Sequence, residues 1–326
     1  MQESFDYGKT RFLKFANFLF TYCGFGFIIV GMNKILCVCF SATYQRTVVF
    51  DSFETGKVNR SRKYGLYASG KAVNAARVLA QLEKGCVATV CPLGQENAGE
   101  FVKLALEDGI ELDYIPVPGK IRECWTLLDY SKHITTELVV GEPPVAQTVP
   151  SNSDIKMLKL ISEKLKDCNA MILAGSRQGI WPDTFYADIC GIALDQGKTV
   201  LADFTGNDML QAVNKAVPSI IKINDEEYER TFAEEASREN LCKRSKRLKN
   251  IIIVTRGEKS TLAADRGTFY ECPSLTVTPV NTTACGDSFN AGFLHEYLAG
   301  GDIKKALEKG TWCAAQNAMC EAPGSL

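Results

Sequence analysis

Histidine is nearly absent from this 326-residue chain. The two present, His133 and His295, lack the spacing of a zinc site. An excess of charge of one sign is also missing, since 37 Lys and Arg against 38 Asp and Glu leave a net charge of -1. That balance gives no electrostatic footprint for nucleic acid, and no acidic tail marks a disordered segment. The local basic cluster of Lys243, Arg244, Lys246, Arg247 and Lys249 follows an acidic stretch over 225–235 and reads as the solvated face of a helix. Cys-x-x-Cys pairs are lacking too. The 13 cysteines are odd in number and scattered, and Cys37 and Cys39 alternate within an apolar run, where cysteine acts as a small buried hydrophobe. Reduced thiols in a cytoplasmic protein fit this usage better than a disulfide framework.

What is present is ordinary for a globular protein. Apolar residues make up 46% and charged ones 23%, in a chain long enough to bury one large core or two smaller ones. The exception is residues 15–32, nearly all apolar and preceded by Arg11 and Lys14. Such a stretch reads as a signal peptide or membrane anchor, or as sequence upstream of a true start at Met32.

From Lys34 onward, short apolar runs alternate with amphipathic stretches, the pattern of an α/β fold with a mostly parallel sheet. Residues 35–40, 87–90, 170–173, 199–202, 220–223 and 251–254 read as its strands. Val73, Ala76 and Ala80 recur at helical spacing, predicting a helix over 72–82, with another over 98–106. Residues 114–117, 123–128 and 137–140 read as strands without helices between them, predicting a small antiparallel lid over a cleft. The end is helical: Phe289, Phe293 and Tyr297 form one stripe, and 304–320 form an alanine-rich last helix.

Chemistry concentrates in Asn281-Thr282-Thr283-Ala284-Cys285-Gly286-Asp287-Ser288-Phe289. Small residues at 284–286 lead into a helix, whose first N–H groups are unpaired and suit a phosphate or developing anion. Asp287 in the first turn could accept a hydroxyl proton while those amides hold a transferring phosphoryl group. On spacing alone, a capped helix after a tight turn explains the segment equally well.

The same residues resemble the D-T-x-G-A-G-D-x-F signature of the PfkB, or ribokinase-like, carbohydrate kinases. The resemblance implies a Rossmann-like ribokinase fold, with the catalytic base at Asp287 and the anion hole at Ala284, Cys285 and Gly286. Ala284 and Cys285 stand where the family has Gly-Ala, and Ala284 is expected to be tolerated with a negative φ. Ser69-Gly70-Lys71-Ala72-Val73-Asn74 resembles the family's G-G-K-G-x-N, implying a sugar site at Gly70, Lys71 and Asn74. Lys222-Ile223-Asn224-Asp225-Glu226-Glu227 resembles K-P-N-x-x-E, implying that Asn224 and Glu227 organise Mg2+ through its waters beside ATP. Read alone, the latter is an acidic helix start. Thr255 and Gly257 fall where the family contacts the nucleotide, and Asn317 where relatives approach the adenine.

Lid residues point to a branch of the family. Thr136-Glu137 with Gly141-Glu142-Pro143 resembles the T-E and G-P stretch of 1-phosphofructokinases and tagatose-6-phosphate kinases. Arg122 sits where those enzymes contact the substrate's phosphate, and Glu137 joins the substrate side. Asp203-Phe204-Thr205-Gly206 fits their D-x-S-G pattern. Where relatives have an Asp for sugar hydroxyls, this chain has Gln45.

The implied protein is one kinase domain over 34–326 with lid strands around 112–142, preceded by an apolar extension over 1–33. It would use ATP and Mg2+ to phosphorylate a ketohexose phosphate in the cytoplasm. The rival readings are a kinase of an unphosphorylated sugar or nucleoside, and a non-catalytic sensor on the same fold. The need for ATP favours the start at Met32, with membrane contact only if the extension is real. Exposed lid strands would need a partner, so a homodimer through the lid is expected.

Overall fold

The computed structural model of the chain describes residues 18–22, 27–61, 63–140 and 152–326. It opens on an antiparallel pair, β1 (Phe18–Tyr22) and β2 (Phe27–Gly31). Residues 15–17 and 23–26 of the apolar stretch lie outside the described residues, as do Gly141, Glu142 and Pro143. Among the described residues, no helix is long and apolar enough to cross a membrane.

There follow β3 (Ile35–Val38), β4 (Thr43–Phe50), β5 (Lys63–Ser69), α1 (Lys71–Leu82), β6 (Val87–Gly94), α2 (Ala98–Glu107) and β7 (Leu112–Val117). Next come β8 (Arg122–Asp129), β9 (Ile134–Val140), α3 (Ser153–Leu165), β10 (Ala170–Ala174), α4 (Phe185–Asp195) and β11 (Thr199–Asp203). The chain continues through α5 (Gly206–Lys215), β12 (Ile220–Asn224), α6 (Asp225–Phe232), α7 (Arg238–Leu248) and β13 (Ile251–Thr255). It ends with β14 (Thr261–Asp265), β15 (Thr268–Cys272), α8 (Cys285–Gly300) and α9 (Ile303–Ala318).

The central sheet runs β15-β14-β13-β12-β11-β10-β3-β6-β7. Strands from β13 to β7 pair parallel, and β14 and β15 add an antiparallel edge. A parallel sheet is covered on both faces, so its strands must be apolar on both sides. The side-chain alternation of β3 and its extension shows this directly. Ile35, Cys37 and Cys39 join the core under α1, α8 and α9, while Leu36, Val38 and Phe40 join the core under α3 and α4. In the second core Phe40 packs edge-on against Trp181 and Phe185. In the first, Phe289, Phe293 and Tyr297 stack along α8. Close approach fixes α8 against α9: a Cβ on Gly292 would come 2.6 Å from Cys313 Sγ and 2.8 Å from Lys309 O.

The small sheet runs β5-β4-β8-β9. It consists of two antiparallel hairpins, β4–β5 and β8–β9, joined through a parallel β4–β8 pair. This corrects the expected lid in one respect. Residues 112–117 belong to the central sheet, because α2 supplies the crossover that lets β7 pair parallel with β6. Their place in the lid is taken by β4 and β5, inserted between β3 and α1. Both hairpins therefore leave the body at the carboxyl ends of central strands.

Candidate active site

The sheet reverses direction of growth at β3 and β10: β6 lies on one side of the pair and β11 on the other. In open α/β sheets that switch point, at the carboxyl ends of the strands, is where ligands bind. The motif residues converge there. Gly70 caps α1 with φ 124, and a Cβ on it would meet Cys39 Sγ at 2.7 Å and Ser41 O at 3.0 Å. Only glycine fits that position, so the family glycine at 70 is kept for a steric reason.

Asp287 lies in the first turn of α8, 6% exposed, and accepts a hydrogen bond from Asn74 Nδ2 at 2.9 Å. Asn74 is itself fixed, its Oδ1 accepting from Ser69 Oγ at 2.8 Å and from Arg77 Nη1 at 3.1 Å. Beneath them Asp203, 1% exposed, accepts from Lys71 Nζ at 2.8 Å, Lys222 Nζ at 3.0 Å and Asn290 Nδ2 at 2.7 Å. The two carboxylates diverge in character. Burial pushes Asp203 up, but Lys222 and Lys71 outweigh it and hold the group well below the usual carboxylate range. For Asp287 burial dominates, with Lys71 opposing and the charge of Asp203 assisting, and the carboxyl rises to about 6.

The loop before α8 departs from expectation. Ala284 has φ 68 and ψ 8, the left-handed region, where the sequence reading expected a negative φ. An L-residue there costs roughly 1–2 kcal/mol that glycine avoids. The surroundings hold the loop in place: Thr283 N donates to Asn281 Oδ1 at 2.9 Å, and Asn317 Nδ2 donates to Thr283 O at 2.8 Å. Asn317 also approaches Cys285 Sγ at 3.3 Å and accepts from Gly324 N at 2.6 Å. It is 1% exposed with its amide committed to this loop, which corrects the placement beside an adenine. Cys285 N is engaged by Thr282 O at 3.3 Å. The amides of Gly286 and Asp287 are first-turn donors of the kind a helix leaves without intrahelical partners.

At the end of β12, Asn224 and Glu227 form a capping box: Asn224 Oδ1 accepts from Glu227 N at 2.8 Å, and Glu227 Oε2 accepts from Asn224 N at 3.1 Å. Glu227 Oε1 points toward Lys71 Nζ, 3.8 Å away, and keeps lone pairs for a hydrated cation. Both readings of this motif, helix start and metal-side carboxylate, are thus compatible in one geometry. Thr255 ends β13, and Gly257 (φ 59) faces open space, with nothing within 4 Å of a Cβ built on it. A Cβ on Gly286 would sit 2.7 Å from Lys222 Nζ, so a fixed positive charge overlooks the start of α8. These features fit a nucleotide's phosphates carried with Mg2+.

On the lid side, Arg122 donates to Ser41 O at 3.3 Å. Glu137 accepts from Thr283 Oγ1 at 2.6 Å, and Gln45, 5% exposed, donates from Nε2 to Thr126 Oγ1 at 2.7 Å. Sequence reasoning assigned no role to Lys222, Asp203, Asn290 or Thr126. Lys222 and Asp203 stood inside matched motifs, and Asn290 lies one helical turn from Asp287, a spacing that puts both on one face. Thr126 carried no signal, because the pairing of β8 with β4 was not foreseen.

Fold and site together define a phosphotransferase of the ribokinase-like class. Residues 34–325 match the family described as pfkB family carbohydrate kinase, and the chain belongs to that family as an ATP-dependent carbohydrate kinase. Among solved structures, phosphofructokinase-2 from Escherichia coli in complex with potassium has a TM-score of 0.77 at 14% identity, covering 90% of this chain and 95% of its own. The same enzyme in complex with fructose-6-phosphate has a TM-score of 0.75 at 14% identity, covering 88% and 94%. A Thermotoga maritima protein described as a possible 1-phosphofructokinase has a TM-score of 0.78 at 16% identity, covering 90% and 94%. At these identities the likeness is one of fold.

Proposed function

We propose that the chain transfers the γ-phosphoryl group of ATP to a hydroxyl of a phosphorylated ketohexose, with Asp287 as general base. The observation that carries this is the setting of Asp287: a buried carboxyl raised to about 6, oriented by Asn74, at the mouth of a helix whose amides face the same space. A base with a pKa just under neutrality is ionised in the cell yet basic enough to take a proton as the hydroxyl attacks. The amides at the start of α8 would stabilise the transferring phosphoryl oxygens together with the charge of Lys222, with Cys285 N exchanging its 3.3 Å contact with Thr282 O for the phosphoryl group. Mg2+, when bound, neutralises phosphate charge, and Asn224 and Glu227 would hold its waters. Lys71 is joined to Asp203 and lies close to Glu227.

The phosphate on the acceptor rests on Arg122, at the start of β8 beside the Ser41 carbonyl, and on the likeness to the 1-phosphofructokinase branch. Dependence on ATP supports a cytoplasmic location. The lid's outer strand β9 exposes Ile134, Leu138, Val139 and Val140, an apolar edge that a second copy would cover. Val139→Lys should then shift the protein to monomer in sedimentation equilibrium. If wild type is already monomeric at micromolar concentration, the lid dimer is wrong.

A coupled ADP-release screen tests the substrate. Turnover should be higher on fructose 1-phosphate or tagatose 6-phosphate than on fructose, ribose or nucleosides. Equal turnover on fructose and fructose 1-phosphate would overturn the phosphorylated acceptor, and no turnover on any would favour a sensor.

A further inference from the structure

The lid and the loop before α8 are joined by one continuous run of side-chain hydrogen bonds. Gln45 Nε2 donates to Thr126 Oγ1 at 2.7 Å. Thr126 Oγ1 lies 3.3 Å from Thr283 Oγ1, and Thr283 Oγ1 donates to Glu137 Oε1 at 2.6 Å. Three of the four come from one face of the lid. Thr126 is directly opposite Thr47 on β4 and Glu137 on β9, and Gln45 lies two residues from Thr47, so alternation turns all of them the same way.

The direction of each proton follows from donor and acceptor capacity. A carboxylate only accepts, so Thr283 spends its single hydroxyl proton on Glu137. The proton between the two threonines must then come from Thr126. With its own proton used, Thr126 can only accept from position 45, and the Gln45 amide supplies that donor. A carboxylate at position 45 reverses this. Thr126 would turn its proton toward the carboxylate, leaving the oxygens of Thr126 and Thr283 face to face with no proton between them.

We propose that Gln45, Thr126, Thr283 and Glu137 form a one-way hydrogen-bond latch that closes the lid onto the anion-hole loop. In this latch Gln45 is a positioning residue selected for its donor. The functional meaning rests on the reading of residues 284–286 as the anion hole. Thr283 immediately precedes Ala284, whose left-handed backbone is unfavourable for alanine. Its amide and carbonyl are fixed from the body by Asn281 and Asn317, and its hydroxyl is fixed by the lid. Opening the lid removes the last of these ties, so lid closure and order in the loop rise and fall together. This also gives the exchange of Asp for Gln a reason: the chain replaces a hydroxyl-binding carboxylate with a group that holds the closed lid.

Hydrogen exchange on the full chain, without ATP or acceptor, tests the latch separately from the choice of substrate. The amides to follow are those of β9 and those of Thr283 and Cys285. Thr126→Val, which keeps shape and removes the hydroxyl, should speed exchange in both segments by about three- to ten-fold, the range expected for one net hydrogen bond. Gln45→Glu, which keeps length and reverses polarity, should do the same. Thr126→Ser should match wild type, and amides in β10, β11 and β12 should stay unchanged in every variant. Wild-type exchange in Thr126→Val or Gln45→Glu, or faster exchange in β9 without a change at Thr283 and Cys285, overturns the latch. A rise in the core strands as well marks general destabilisation and also counts against it. Failure of the ADP-release screen would leave these outcomes untouched.

Discussion

The two ends of the cleft are built differently. At the proposed phosphoryl-transfer end, Asp203, Lys222, Asn290 and Asp287 are buried on central strands and on α8, each tied to fixed neighbours. At the proposed acceptor end, Glu137 and the rest of β9 are largely exposed on a four-stranded sheet that leaves the body through two hairpins. Buried, multiply bonded groups hold a geometry at little reorganisation cost, which is what stabilising a charged transition state demands. A peripheral sheet can change its contacts without disturbing the core. The sequence departures fall on both sides of this division: Gln45 and Ser69 lie in the lid sheet, and Ala284 and Cys285 lie at the start of α8. Under the proposed function, the chemistry would be anchored in the body and the acceptor would be met by the lid.

The largest test of this contrast is Asp287→Ala. Removing the proposed base should lower kcat by about 10²- to 10⁴-fold, while ATP affinity measured by calorimetry stays within a few-fold of wild type. Unchanged kcat would mean that the rigid end does not house the base. Arg122→Ala strikes the lid end. A charged hydrogen bond of about 1.5–3 kcal/mol corresponds to roughly a 10- to 100-fold rise in KM for the sugar phosphate, with KM for ATP unaffected. A matching rise in KM for ATP would erase the distinction between the ends.

The same contrast governs what could be read from the sequence. The body was legible because burial on both faces demands unbroken apolar runs, as in β3 and β10, and because Gly70 and Asp287 stand in motifs whose spacing has a steric or chemical cause. The lid was harder. β4 and β5 are partly exposed strands whose alternation is weak, and the parallel β4–β8 pairing joins residues nearly eighty positions apart. β7 was assigned to the wrong sheet because no helix separates it from β8, although α2 on its other side decides the pairing. Asn317 was misplaced for a related reason. Its position in the last helix was visible, but only the packing of α9 on the loop shows that its amide faces inward.

A subtler test concerns protonation. Asp287 must be ionised to act as a base, so kcat/KM should fall about tenfold per pH unit as pH drops below about 6. The Asn74 amide donates to the carboxylate and favours its charged form. Asn74→Ala should therefore move the acid limb of the pH profile to higher pH, with the plateau reduced less than in Asp287→Ala. A limb that stays in place would show that Asn74 serves the acceptor alone.

The smallest effect is expected at Ala284, where the rigid end carries its own strain. With φ 68, alanine sits where its Cβ crowds the following carbonyl, and a glycine relieves that contact. Against this gain stands the larger backbone freedom that glycine loses on folding, about 0.4–1 kcal/mol. The two contributions oppose each other, so Ala284→Gly should stabilise by about 0–1.6 kcal/mol, raising Tm by up to roughly 3 °C. Its effect on rate separates two uses of the strain. If the loop is held only by Asn281, Asn317 and the lid, the glycine is accommodated in the same shape and kcat changes less than about twofold. If alanine is needed to restrict the loop to the anion-binding shape, the added freedom lowers kcat even as Tm rises. The ties to Thr283 from three directions favour the first outcome. A destabilised Ala284→Gly protein would show that the strain at this position is smaller than the backbone freedom glycine loses on folding.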